Sequence, residues 1–279
     1  MADNKEKRIT EQSSLYDHLE KMSVAELTAN INNENKKVAL AVEEALPKIN
    51  ILIEAIERQV KNGGRLFYAG CGTGGRLATL DTIEVQNTYG IDGSQIQAIF
   101  PGGIGCLTQT KESREDDLKN GWQQLCDKKI TKNDIVVGFS ASGTTPFVLS
   151  ILKHCRKEGI PTGCIVNNPH SPIAEWADYA VEVITGPEFV TGSTRMKAGT
   201  SQKLILDMIS TTLQIRQGRV EGNKMVNAKL INHKLIDRAC RIFMERNSEY
   251  KDYEEVRQLI LKAGSVKKAE MMISRHFDM

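Results

Sequence analysis

The residues with the plainest chemical meaning are Gly70-Cys71-Gly72-Thr73-Gly74-Gly75-Arg76, directly after the apolar run Leu66-Phe67-Tyr68-Ala69. A buried strand that ends in a glycine-rich turn and opens a helix near Arg76 lets backbone N–H groups approach an anion, with the helix dipole behind them. Glu84, a few residues on, is a carboxylate that the same helix would hold over the bound anion. A second polar turn, Ser140-Ala141-Ser142-Gly143-Thr144-Thr145, follows the apolar stretch 134–139 and precedes Pro146. Its hydroxyls and N–H groups suit phosphate oxygens, although Ser142 and Thr145 would equally serve as caps of the next helix. The first turn is not a full dinucleotide fingerprint, because its third glycine is misplaced and no acidic residue ends a second strand at the expected distance. Nor is it a Walker A loop, since no Gly-Lys-Ser/Thr follows. Two phosphate-type turns on strand ends point to a phosphorylated small molecule. A third segment, residues 186–200, places Glu188, Ser193, Thr194, Arg195 and Lys197 among small residues before an apolar helix. A loop that polar reads as part of a site, or as a plain cap for the helix.

The elements that must position these turns follow from periodicity. Residues 24–62 are predicted helical, with Ser23 and Glu26 at capping-box spacing and Pro47 marking a break or the first turn of a second helix. Apolar runs at 66–69, 96–100, 134–139, 162–167 and 179–184 read as strands. They alternate with helices predicted from Arg76 onward, over 111–126 and over 146–158, and a further helix is predicted over 199–218. This pattern predicts βαβ units and a three-layer, doubly wound parallel α/β domain. The expected organisation is an N-terminal helical segment (1–62), the α/β domain (63–226) and a small C-terminal helical subdomain (227–279). Ligands of such sheets sit at the carboxyl ends of the strands.

Composition narrows the class. The 279 residues are 40% hydrophobic and 26% charged with a net charge of +2, a balance unlike that of a dedicated nucleic-acid binder. No stretch reaches the roughly 20 apolar residues that span a bilayer, and the polar N-terminus shows no secretory signal. The six cysteines form no C-x-x-C pair and the five histidines are dispersed, so reduced thiols and no metal site are expected. The expectation is a cytoplasmic globular protein with neither nucleic acid nor membrane as partner.

The motifs together resemble the N-acetylmuramic acid 6-phosphate etherase family, built on the sugar-isomerase (SIS) phosphosugar-binding fold. The matches run from Thr10-Glu11-Gln12 to the C-terminal helices. They include Gly63-Gly64-Arg65-Leu66, Gly75-Arg76-Leu77, Leu80-Asp81, Glu84, Glu115-Asp116-Asp117, Ala141-Ser142-Gly143, residues 186–200, Gln202-Lys203 and Gly222-Asn223-Lys224-Met225-Val226. The resemblance implies a homodimer without cofactor that cleaves the D-lactyl ether at carbon 3 of its substrate. A base removes the proton at carbon 2 of the open-chain sugar, lactate leaves, and water adds back. The family's two catalytic glutamates fall on Glu84, the expected acid that protonates the departing oxygen, and Glu115, the expected base or water-activating group. The expected sugar-phosphate contacts are Gly72, Thr73, Gly74, Arg76, Ser140, Ser142, Gly143, Thr144, Thr145, Glu188, Ser193, Thr194 and Lys197. The glucokinase regulatory protein is a distant relative, which supplies a non-catalytic phosphosugar sensor as the main rival; an isomerase is the other.

This chain departs from the family pattern in places. Gly74 replaces a serine that ordinarily helps hold the phosphate, and Ser140 stands where a small apolar residue is usual. Ser140 is therefore expected to make the phosphate hydrogen bond that Gly74, without a hydroxyl, does not. Gln86-Asn87 replaces a pair of prolines, Ile83 and Val85 replace smaller residues, and Phe100-Pro101-Gly102-Gly103 replaces an apolar-Ala-Gly-Gly run. These changes cluster around the expected acid/base groups.

Overall fold

A computed structural model describes residues 8–108 and 112–277. The chain divides into two compact units, Met1–Asp81 with Ser94–Ile209, and Thr82–Gly93 with Ser210–Met279.

The first unit is built on a five-stranded, wholly parallel sheet of β1 (Leu66–Gly70), β2 (Ile96–Ile99), β3 (Ile135–Ser140), β4 (Thr162–Val166) and β5 (Tyr179–Glu182), in the order β2-β1-β3-β4-β5. Every residue of β1, β3 and β4 is buried, as expected of parallel strands covered on both faces. Side chains alternate between the faces. Phe67, Ala69, Val136, Cys164 and Val166 pack with Phe147, Ile151 and Leu152 of α4 (Pro146–Lys157) and with Leu125 of α3 (Asn120–Asp127). On the other face the Tyr68 and Phe139 rings meet edge to face at 5.5 Å.

Helix α1 (Val24–Lys61) opens on the predicted capping box, with the Glu26 N–H donating to Ser23 Oγ and the Ser23 N–H donating to Glu26 Oε2. It runs unbroken for 38 residues through Pro47, where the sequence suggests a break. Pro47 is exposed, so the carbonyl it leaves without an N–H partner is on the solvent side, while Val42, Ala45, Ile49 and Leu52 stay buried along one stripe. Helix α2 (Gly72–Tyr89) begins four residues earlier than predicted, so the glycines form its first turn. The helix expected over 111–126 is a 3-10 segment, Glu112–Asp116, followed by α3; Lys111 lies outside the described residues. Asp117 separates the two by accepting from the N–H groups of Lys119 and Asn120. Beyond β4 the first unit adds α5 (Pro172–Glu175) and the start of α6 (Lys197–Arg216).

The second unit holds a two-stranded hairpin, β6 (Val220–Glu221) with β7 (Lys224–Met225), which the sequence pattern does not suggest, and α7 (His233–Arg246), α8 (Tyr253–Ala263) and α9 (Val266–Phe277). Asn232 and Asp252 cap α7 and α8, and Gly264 ends α8 in the left-handed region. Its core is Val226, Cys240, Phe243, Val256 and Ile260. Among the described residues, no helix is long and apolar enough to cross a membrane.

Candidate functional site

The crossover from β1 leads to β2 on one side, while β3 lies on the other, so the chain reverses direction across the sheet between β1 and β3. A crevice opens at such a point outside the strand ends. Gly70 ends β1 in register with Phe139 of β3, and both phosphate-type turns follow at that edge.

The first turn is a close approach of strand end and helix start. A Cβ on Gly75 would meet the Gly70 carbonyl oxygen at 2.3 Å, so only glycine lets α2 begin there. Gly72 has φ +51, and a Cβ there would lie 3.3 Å from Glu115 Oε1. The Glu115 carboxylate is thus set against the first turn of α2. The adjoining Cys71 thiol senses it: burial first, then the Glu115 and Asp116 charges, push that thiol well above its ordinary value. Arg76 turns to the loop that follows β2, donating from Nε to the Leu107 carbonyl at 2.9 Å and lying over the Phe100 ring at 5.6 Å.

The second turn is ordered by its own hydroxyls. Ser140 Oγ is 2.8 Å from Thr145 Oγ1 and 3.3 Å from Ser142 Oγ, and accepts from the Gly143 N–H at 3.1 Å. Thr144 donates to Ser142 Oγ from both its N–H and its hydroxyl. Thr145 is the N-cap of α4 yet makes no side-chain cap hydrogen bond, so a pure capping role does not describe it. Ser140 is buried and braces the turn from within. A Cβ on Gly74 would come 2.4 Å from Gln202 Oε1, so Gln202 occupies the space beside Gly74.

Gln202 also joins the two turns. It donates to Asn167 Oδ1 at 3.1 Å, and the Asn167 N–H donates to the Ala141 carbonyl at 3.1 Å. Asn167 further donates to the Val183 carbonyl and to Ser201 Oγ. Asn168 donates to Ala141 O and to Thr10 Oγ1, both at 2.9 Å. The sequence does not single out these buried amides as site residues. Their one signal is position, at the end of the predicted strand 162–167 and within Gln202-Lys203.

The third segment approaches the first turn through Gly199, where a Cβ would sit 3.0 Å from the Thr73 methyl. Ser193 and Thr194 are half-buried, and the Thr194 carbonyl accepts from the Gly199 N–H. Glu188 and Lys197 are 1% and 2% exposed. Glu188 caps α6 by accepting from the N–H groups of Lys197 and Ala198 at 2.8 and 3.0 Å. Burial raises its carboxyl, against the pull of those two N–H groups and of Lys197. The Lys197 ammonium donates to Glu34 Oε2 at 2.5 Å. Burial would raise the Glu34 carboxyl, but Lys197 and Lys37 together hold it below the ordinary value. Both side chains therefore fix the segment from within.

Glu84 belongs to the second unit, where it is exposed on α2 and its carbonyl accepts from Thr88 Oγ1 at 2.9 Å. The helix continues through Gln86 and Asn87 where the resembled family has prolines. Among the described residues, no group of three or more His, Cys, Asp or Glu side chains is placed to hold a metal ion.

A parallel sheet with two hydroxyl- and glycine-lined turns at its switch point is the architecture of SIS phosphosugar proteins. The SIS domain family matches residues 123–211, and the glucokinase regulatory protein N-terminal SIS domain matches residues 48–156. The fold is shared with a solved protein of E. coli CFT073 (TM-score 0.53, 19% identity, 72% of this chain and 97% of that one) and with a phosphoheptose isomerase from Francisella tularensis (TM-score 0.53, 14% identity, 70% and 100%). Among curated relatives, N-acetylmuramic acid 6-phosphate etherases from Bacteroides thetaiotaomicron, Porphyromonas gingivalis and Lactococcus lactis are 50%, 49% and 44% identical, covering 96%, 93% and 85% of this chain and 96%, 94% and 80% of theirs. The chain belongs to the N-acetylmuramic acid 6-phosphate etherase family.

Proposed function

We propose that the protein is a carbon–oxygen lyase that converts N-acetylmuramic acid 6-phosphate to N-acetylglucosamine 6-phosphate and D-lactate, in the cytoplasm, as a homodimer serving peptidoglycan amino-sugar recycling. Family membership over nearly the whole chain supports the reaction. The observation that carries the site is the Glu115 carboxylate lying against Gly72, in the first of two joined phosphate-type turns. In this reading the phosphate rests on the N–H groups and hydroxyls of 72–74 and 142–145, with Ser193 and Thr194 toward the sugar. Glu115 removes the carbon 2 proton and later activates water, and Glu84 protonates the departing lactyl oxygen. Elimination at neutral pH needs two such groups with different proton affinities. Arg76, Ser140, Glu188 and Lys197 shape the walls.

The test is D-lactate release from N-acetylmuramic acid 6-phosphate. Glu115→Gln and Glu84→Gln are each expected to lower kcat by about 10²–10⁴-fold, the usual contribution of a general acid or base. The match to the glucokinase regulatory protein domain favours one second reading, a phosphosugar sensor. Sugar-phosphate binding by the wild type with no lactate released establishes that reading instead.

A further inference from the structure

A phosphate monoester carries a charge of about −1.5 to −2 near neutrality. The donors of the two turns, backbone N–H groups and hydroxyls, are neutral. Of the cations in these segments, Lys197 is buried against Glu34, and Arg76 donates from Nε to Leu107 O in the loop after β2. Arg195 is exposed on the third segment.

A cation reaches the second turn from another part of the chain. Arg8 Nη1 donates to Thr144 Oγ1 at 2.6 Å, across 136 positions of sequence, and Arg8 is exposed. Its position is fixed by the segment that follows. Thr10 is 1% exposed, its N–H donates to Asn168 Oδ1 at 3.2 Å, and its hydroxyl accepts from Asn168 Nδ2. Asn168 Nδ2 also donates to the Ala141 carbonyl of the same turn. Further along, Ser14 Oγ donates to the Phe189 carbonyl at 2.7 Å and Tyr16 packs its ring 4.9 Å from that of Phe189. The N-terminal strap is therefore stitched to the second turn by one buried asparagine, whose partner Thr10 stands just after Arg8. A guanidinium held at one corner by a hydroxyl still presents a planar edge of N–H donors, the shape that matches a phosphate.

We propose that Arg8 is a substrate-binding residue that supplies the positive charge for the sugar phosphate, delivered by the N-terminal strap to the Ser142–Thr144 side of the cradle. This rests on the reading of the two turns as a phosphate site. Thr144 serves as its positioning residue: it accepts from Arg8 and donates to Ser142.

The experiment measures binding of N-acetylglucosamine 6-phosphate by calorimetry to the full-length wild type, Arg8→Gln and Arg8→Lys, at low and high salt, beside the steady-state kinetics of lactate release. Arg8→Gln is expected to weaken binding about tenfold or more, the scale of a charge-assisted contact, and to raise KM with kcat nearly unchanged. Arg8→Lys keeps most of the affinity, and the gap between wild type and Arg8→Gln narrows at high salt, where screening weakens the pair. Equal affinity of wild type and Arg8→Gln overturns the proposal and leaves the phosphate reading standing. Affinity kept by Arg8→Gln but not by Arg8→Lys also overturns it, because that pattern belongs to a neutral brace on Thr144. A wild type that binds no sugar phosphate removes the underlying reading and the proposal with it. Arg8 is exposed, and the urea midpoint of each variant confirms that it is folded.

Discussion

Gly72 has a left-handed backbone, which favours glycine, and a Cβ there would press on Glu115 Oε1 at 3.3 Å. Gly72→Ala is expected to destabilise the protein by about 1 kcal/mol from the backbone alone. It should also lower the rate of lactate release by displacing Glu115, by more than the loss of product affinity that a shifted Gly72 N–H accounts for. A fall in rate no larger than the fall in affinity would mean that Gly72 acts through the phosphate site alone and not through the position of the base. The sequence makes the glycine turn conspicuous but hides this division of labour. Gly75 serves the packing of helix on strand, Gly74 faces Gln202, and Gly72 faces Glu115. Glu115 itself lies in a run with Glu112, Asp116 and Asp117 and is indistinguishable from a solvated carboxylate without the family pattern.

At the scale of elements, the start of α6 depends on charges buried with it. Lys197→Met leaves Glu34 buried with Lys37 and Tyr16 as its remaining partners. Removing one partner of a buried pair costs about 3–5 kcal/mol, and the partners that remain lower this to on the order of 2–4 kcal/mol by urea unfolding. Adding Glu34→Gln should return part of that stability, a coupling that a double-mutant cycle reads directly. The sequence presents Lys197 and Glu188 as ligand contacts because a cation and an anion in a polar loop look alike whether they face a sugar, a helix N-terminus as Glu188 does, or a buried carboxylate as Lys197 does. Only the 38-residue α1, arriving from far away in sequence, reveals the partner of Lys197. The β3 strand is anchored by a second charge pair. Asp134 is 2% exposed; burial would raise its carboxyl, but hydrogen bonds from the Arg65 side chain and the Thr131 and Arg65 N–H groups hold it below the usual aspartate value. A carboxyl lowered in the folded state stabilises the fold above its unfolded value of about 3.9. That contribution disappears as pH falls through the lower folded value. Asp134→Asn is therefore expected to flatten the acid limb of the stability profile, measured as urea midpoint against pH from neutrality downward. An unchanged acid limb would assign the acid sensitivity to other groups.

On the scale of the whole molecule, the alternation of apolar strands with helices carries the parallel sheet, and the two phosphate-type turns carry its switch point, because both features are local in sequence. The five strands lie where the pattern sets them, to within about two residues at their ends. Less legible are features decided by distant partners: α1 passing through Pro47, the β6–β7 hairpin, and the network through Asn167, Asn168 and Gln202. The homodimer we propose is tested by sedimentation, with a mass of twice the chain expected at micromolar concentration. A monomer that still releases lactate would separate catalysis from assembly.

The buried amides that tie Ala141 to Asn167, and Asn167 to Gln202 beside Gly74, have a thermodynamic consequence. On the proposed reading of the two turns as a phosphate cradle, its halves are already joined by hydrogen bonds internal to the protein, so an arriving anion is expected to order little of the chain. Its binding should show a modest conformational entropy penalty and a small heat-capacity change, a signature of preorganisation. Gln202→Ala would loosen the joint and move that cost into the binding step, making the cradle a clasp that must close around its ligand each time.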